Sequence, residues 1–174
     1  MKEPFELLHL YVSASHNYFG HHGRPAGKIP IREVREARCI AGQGIEGDRF
    51  FDSDANHKGQ ITFFASEAYQ SLCEQFGLWD KPPSVFRRNV ISRGVDWNKL
   101  IGQEFEVQGV RFLGTEECRP CYWMEQAFCA GAEAALHGRG GLRARILTTG
   151  ALRMDEDQPC TFFFPWQTQD CVAT

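Results

Sequence analysis

Gln103-Glu104-Phe105-Glu106-Val107-Gln108-Gly109-Val110-Arg111-Phe112-Leu113-Gly114-Thr115 is the stretch on which the fold class of this chain turns. Apolar residues stand at 105 and 107, then at 110, 112 and 113, and polar residues separate the first four. A period of two sends alternate side chains to opposite faces of a strand. Gly109 interrupts the pattern where a turn or bulge belongs. The stretch therefore predicts strand, break and strand.

More strands flank it. Phe5–Val12, Gln60–Phe64, Val85–Ser92, Leu142–Thr148 and Cys160–Phe164 are short and rich in Val, Ile, Phe and Tyr. Ile31–Ile40 fits a helix at positions 31, 34 and 37, yet its Val and Ile content and the glycines after it favour a strand. Helices are fewer. Ser66 can cap one running to Gly77 with Tyr69, Leu72, Cys73 and Phe76 on one face. Tyr122–Leu136 is Ala-rich and predicts a second, and Asp96–Leu100 a single turn. Pro82-Pro83 and Gly138–Gly141 break the chain. Many short strands, two substantial helices and no regular βαβ alternation predict a β-rich α+β domain. A small closed or nearly closed β-barrel would deal with that many strand edges.

The 174 residues carry no linker, repeat or low-complexity tract, so one domain over 1–174 is expected, with a core at about 5–165 and a polar C-terminal tail. Nineteen Lys+Arg against 22 Asp+Glu is too near neutral for a general nucleic-acid binder. Met1-Lys2-Glu3-Pro4-Phe5-Glu6 puts charge and proline where a signal peptide needs an apolar run, and no run is long enough to span a bilayer. A cytoplasmic protein without membrane or nucleic-acid partners is expected. Seven scattered cysteines, an odd number, argue against a disulfide framework. Charge is uneven: residues 86–145 hold nine bases, eight of them arginine, against seven acids. Arginine's planar fork suits bidentate binding of anions.

Four segments carry candidate chemistry. Ser13–Gly23 is a polar loop with His16, His21 and His22, a metal site or a solvated loop. Gly42-x-Gly44-x-x-Gly47 has dinucleotide-motif spacing, but Phe50-Phe51-Asp52-Ser53-Asp54 opens no helix, which excludes that site. Cys118-Arg119-Pro120-Cys121 pairs two thiols for a metal or for redox chemistry, and Arg119 favours the thiolate. Cys129 and His137 are the nearest further ligands for a structural zinc module, at a spacing no common zinc knuckle uses. Arg87, Arg88, Arg139, Arg143 and Arg145 are anion candidates. On strands, Arg87 and Arg88 would face opposite ways, while Arg143 and Arg145 would share one face, either inward or solvated.

The order Gly44-x-x-Gly47-Asp48-Arg49, Phe86-Arg87-Arg88-Asn89-Val90, Gly102…Gly109-Val110-Arg111-Phe112, Arg119-Pro120-Cys121 and Gly141-Leu142-Arg143-Ala144-Arg145-Ile146 resembles the MOSC domain, the molybdenum cofactor sulfurase C-terminal domain. The resemblance implies a β-barrel-like fold and one cysteine, here Cys121, that ligates molybdenum or carries sulfur. It implies molybdenum cofactor (molybdopterin) as ligand, with reduction of N-hydroxylated bases in some relatives, sulfuration of the cofactor in others, and a family association with pyridoxal phosphate enzymes. Under it, Arg88, Arg143 or Arg145 would hold the pterin phosphate, Asn89 completes the Arg-Asn pair, and the backbone of Gly44 and Gly47 would approach the pterin. Asp48 would orient Arg49, and His16 is the candidate proton donor. A small-molecule substrate and a separate electron-donor protein are then expected. The alternative is a sulfur carrier, with a persulfide on Cys121, Cys118 resolving it and a cysteine desulfurase as partner.

Overall fold

The computed structural model describes residues 5–17, 25–54 and 56–155, together with the backbone of 162–163. His21, His22, Cys160, Cys171 and the polar tail lie outside the described residues. In chain order the strands are β1 (Glu6–Val12), β2 (Arg32–Glu33), β3 (Glu36–Ile40), β4 (Gly44–Ile45), β5 (Ile61–Ala65), β6 (Val90–Arg93), β7 (Glu104–Val107), β8 (Val110–Glu117), β9 (Leu142–Ile146), β10 (Gly150–Arg153) and β11 (Phe162–Phe163). Three helices join them: α1 (Ser66–Phe76), α2 (Trp123–Ala127) and α3 (Ala132–Ala135). The class is α+β and sheet-rich, as the strand count predicts. No helix among the described residues is long and apolar enough to cross a membrane.

Eight strands form one sheet in the order β11-β7-β8-β9-β5-β6-β1-β2, and β10-β3-β4 form another. The 103–115 stretch supplies the antiparallel β7–β8 hairpin, with Val107 opposite Val110 around a turn in which Gln108 and Gly109 both take positive φ. Among the described residues no ladder joins the two-residue edge strands β2 and β11, so the hydrogen bonding does not close into a ring. Single bonds tie the smaller sheet to the larger instead: Gly42 N–H to Ile146 O at 2.9 Å and Asp155 N–H to Leu7 O at 3.0 Å.

Alternation on β5 divides the core. Ile61 and Phe63 enter the main cluster, while Phe64 enters a second cluster under α1. Phe63 stacks on Trp97 at 4.4 Å between centroids and meets Phe105 and Phe112 edge-on at 5.4 and 5.3 Å. On the other face Phe64 packs with Phe86, Leu72 and Cys73. Rings of this size bury 150–250 Å² each and dominate such a core.

Three expectations change, and one strand was not foreseen. The strand foreseen over Val85–Ser92 begins only at Val90. Pro83 starts a single helical turn, Pro83–Phe86, and Arg87 ends it with φ of 55°. Arg87 and Arg88 are therefore not on opposite faces of a strand. The helix over 122–136 is broken: α2 stops before Phe128, and Gly131 at φ 91° starts α3. Ser66 is the first residue of α1 rather than its cap, which is Ala65; Gly77 closes the helix in the left-handed region, as foreseen. Finally, β10 pairs with β3 although Gly150-Ala151-Leu152-Arg153 shows no alternation that would mark it.

Candidate functional site

One cavity of about 250 Å³ gathers side chains from loops far apart in sequence. His16 comes from the loop after β1, Arg49 and Phe50 from the turn after β4, and His57 from the loop before β5. Arg87 and Arg88 come from the turn before β6, Cys118 and Cys121 from the segment between β8 and α2, and Arg143 from β9.

A buried polar network builds the floor. Asp48 lies in the turn of Gly44–Arg49, where Gly47 supplies a φ of 80°. Its Oδ1 accepts from Ser13 N–H at 3.1 Å, Asn89 Nδ2 at 3.2 Å and Arg49 Nη1 at 3.4 Å. The Asp48 and Arg49 side chains are 1% and 8% exposed. Arg49 Nη2 donates to Arg87 O at 3.1 Å, and Arg87 Nη2 donates to Ser13 Oγ and Ser15 O, both at 2.9 Å. Asn89 uses both ends of its amide, joining Thr62 on β5, Tyr11 on β1 and Asp48.

Arg88 holds the cysteine segment. Its Nε donates to Gly140 O at 3.1 Å, Nη1 to Phe86 O at 2.8 Å and Nη2 to Cys118 O at 3.0 Å. Three of its five N–H groups are thus committed to carbonyls. Glycine is required beside it: a Cβ at Gly140 would fall 2.2 Å from Cys118 O. Cys118 N–H donates to Gly141 O at 2.8 Å, so this cysteine is held through both its amide and its carbonyl.

The electrostatics are lopsided. Among the described residues, Arg49, Arg87 and Arg88 border the cavity and a single buried carboxylate, Asp48, backs them. Burial pulls the Arg49 pKa down; Asp48 opposes that fall, and Arg87 and Arg88 add to it. Guanidinium groups at a cavity wall suit binding of an anion through paired N–H donors. Arg143 is less forceful, since Glu116 pairs with it at 3.1 Å and also with Lys58 at 3.3 Å in a half-exposed network.

An aromatic wall stands beside these cations. Phe50 stacks on His57 at 4.7 Å and meets His16 edge-on at 4.8 Å, while the Arg49 guanidinium lies 4.9 Å from the Phe50 centroid. Burial first, then the neighbouring arginines, hold both histidines below their ordinary pKa of 6.5. They are neutral at pH 7 and able to donate or accept one hydrogen bond at each ring nitrogen. Trp123 and Met124, at the start of α2, complete this wall.

The structure brings together His16, Arg49, Arg87, Arg88, Cys118, Cys121 and Arg143 of the residues singled out in sequence. Asp48 and Asn89 stand behind the wall and hold it. Gly44 is buried in β4 and Gly47 is exposed; neither lines the cavity. Arg143 and Arg145 do share the outer face of β9, but Arg145 turns away to donate to Asn56 O at 3.0 Å. Arg119 and His137 border a different cavity, and no three Cys, His, Asp or Glu groups among the described residues are placed to hold a metal together. Cys118, Cys121, Cys129 and His137 therefore do not make the zinc module considered above. Sequence reading missed His57, Phe50 and Trp123. They sit in no motif, and only the tertiary fold turns them to the same space.

Comparison with known proteins agrees with this picture. No curated protein matches the chain at a significant level. Among solved structures, YuaD from Bacillus subtilis superposes with a TM-score of 0.68 at 17% identity, covering 87% of this chain and 92% of that one. YiiM from Geobacillus stearothermophilus gives 0.62 at 14% identity over 91% of this chain and 74% of that one. YiiM from Escherichia coli gives 0.60 at 16% identity over 94% and 70%. At these identities the likeness speaks for the fold alone. The family model of the MOSC domain matches residues 20–158, four fifths of the sequence, and the chain belongs to the MOSC domain family.

Proposed function

We propose that the cavity binds molybdenum cofactor, with Cys121 as the protein ligand to the metal, and that the chain uses it to reduce N-hydroxylated small molecules. The observation that carries this reading is an exposed thiol bordering a cavity lined by four arginines, Arg49, Arg87, Arg88 and Arg143. The donor set fits the group. A soft thiolate suits molybdenum, and forked guanidinium donors suit a phosphate-bearing pterin. Pyridoxal phosphate fits less well, because its Schiff base needs a lysine amine and no lysine lines the cavity among the described residues.

In this reading the residues divide the work. Arg49 and Arg87, held from behind by Asp48, Ser13 and Ser15, present positive charge to the cofactor's anionic end. Arg88 holds the cysteine segment at Cys118 O, three residues before Cys121. His16 and His57, neutral and braced on Phe50, stand at the wall where a substrate would lie. Phe50, Phe86 and Trp123 exclude water from it. The bound cofactor supplies the two-electron chemistry, with electrons from a separate donor protein.

Metal analysis tests the reading. Protein purified without oxygen from a host that makes the cofactor should contain near-stoichiometric molybdenum, and Cys121→Ala should lose it while remaining folded. Full molybdenum in Cys121→Ala overturns the ligand assignment, and none in the wild type overturns the cofactor.

One observation favours a second reading. Two thiols, Cys118 and Cys121, border the same cavity, which suits a sulfur carrier loaded by a cysteine desulfurase. Incubation with such an enzyme and cysteine should then add one sulfur atom to Cys121 in the intact mass, and an unchanged mass excludes it.

A further inference from the structure

The geometry points to a second chemistry in this cavity: Cys118 and Cys121 form a reversible dithiol–disulfide couple, oxidised by a low-molecular-weight disulfide, and only the dithiol can take the cofactor. The last clause rests on the role proposed above for Cys121.

Both thiols border the cavity, with two residues between them in the chain. That is the spacing at which paired cysteines act as redox couples. They differ in access and in restraint. Cys121 is exposed and Cys118 is buried. Gly141 O and Arg88 Nη2 hold Cys118 by its amide and its carbonyl. The backbone from 118 to 121 belongs to no strand or helix, so no ladder fixes the exposed cysteine at one separation from the buried one. The exposed thiol can therefore meet an outside disulfide first, and the buried thiol can complete the exchange.

The steps balance. The Cys121 thiolate attacks one sulfur of glutathione disulfide, that S–S bond breaks, and one glutathione thiolate leaves and takes up a proton. The Cys118 thiolate then attacks Cys121 Sγ, the mixed disulfide breaks, and a second glutathione leaves and is protonated. Two protein thiols lose two electrons and two protons, and one glutathione disulfide becomes two glutathiones. A sulfur bonded to sulfur has no thiolate to offer a metal, so oxidation withdraws Cys121 from the cofactor.

Peptide mapping of cofactor-free protein decides the matter. After exposure to glutathione disulfide the protein is alkylated under denaturing conditions, digested with trypsin and analysed by mass spectrometry before and after reduction. Cys118, Cys121 and Cys129 share one peptide, because no tryptic cleavage occurs at Arg119-Pro120. The expected peptide carries an alkyl group on Cys129 alone, has lost two hydrogens, and takes up two more alkyl groups on reduction and a second alkylation. Wild-type peptide with glutathione on Cys121 and an alkylated Cys118 overturns the couple, whatever the variants do. In Cys118→Ala the reaction should stop at one glutathione on Cys121. This readout needs no molybdenum, so its failure leaves the cofactor reading standing, and failure of reduced protein to bind cofactor leaves the disulfide result intact. Where reduced protein loads, oxidised protein should not; equal loading of the two overturns the coupling.

Discussion

Asn89→Ala should cost the protein about 3–5 kcal/mol, although it removes one uncharged side chain. Asn89 is 2% exposed, and its amide makes four bonds. Oδ1 accepts from Thr62 N–H at 3.0 Å and Thr62 Oγ at 2.8 Å; Nδ2 donates to Tyr11 O at 3.1 Å and Asp48 Oδ1 at 3.2 Å. Alanine leaves a buried backbone N–H on β5 without that partner, takes a donor from Tyr11 O and weakens the support of Asp48. Each orphaned buried group costs about 1–3 kcal/mol, which sets the range. A chain of this length loses about 2–4 °C of melting temperature per kcal/mol, so a fall on the order of 10 °C is expected. Urea unfolding followed by tryptophan fluorescence measures the free energy directly. Asn89→Asp sharpens the argument, because it keeps the acceptor and turns the donor into an oxygen facing Asp48 Oδ1 and Tyr11 O. It should destabilise at least as much as alanine at neutral pH. A loss under about 1 kcal/mol in Asn89→Ala, or a benign Asn89→Asp, would refute the view that this network holds the arginine wall.

Gly140→Ala would place its Cβ 2.2 Å from Cys118 O and 2.9 Å from Pro120 Cδ, displacing the cysteine segment from Arg88. We expect a loss of about 1–3 kcal/mol together with reduced molybdenum retention, and wild-type values for both would show that the contact is readily relieved. His16 and His57 have native pKa values below 6.5, so the unfolded chain binds more protons than the native one beneath that pH. Their contribution is intact above 6.5 and is lost as pH falls from 6.5 through the native values; melting temperatures of His57→Gln should therefore decline less steeply over that interval than those of wild type. A parallel decline would mean that His57 does not titrate differently in the two states. Native-state alkylation should label Cys121 first, whereas Cys39, buried and with its pKa pushed up to about 12, should react only on unfolding. Early labelling of Cys39 would contradict its place in the core.

Much of the strand framework was legible because alternation is a local signal. Phe105, Val107, Val110 and Phe112 announced the β7–β8 hairpin, and Leu142, Ala144 and Ile146 announced β9 with Arg143 and Arg145 together on the other face. Where the controlling contact is distant, the local pattern misled. Val85–Val90 looks like strand by composition, yet the helical turn from Pro83 and the left-handed Arg87 turn the arginines toward Ser13, Ser15 and Cys118. The run from Tyr122 to Leu136 looks like one helix, yet it breaks at Phe128 and Gly131, where the chain must pack Phe128 against Phe86 and Phe76.

Sequence alone determined the α+β class, the family resemblance and the identity of Cys121 as the residue to test, because periodicity and motif order are properties of the chain itself. Tertiary structure decided which of the arginines border the cavity and which support it. It separated Cys118 from Cys121 by burial, sent Arg145 and Arg119 elsewhere, and brought His57 and Phe50 to a site that no motif connects them with. The physical reason is that charge balance and burial depend on neighbours in space. Asp48, Arg49, Arg87 and Arg88 are ordinary charged residues in the sequence, and they become one cluster beside the cavity only when β4, β5 and β6 bring their loops to one floor.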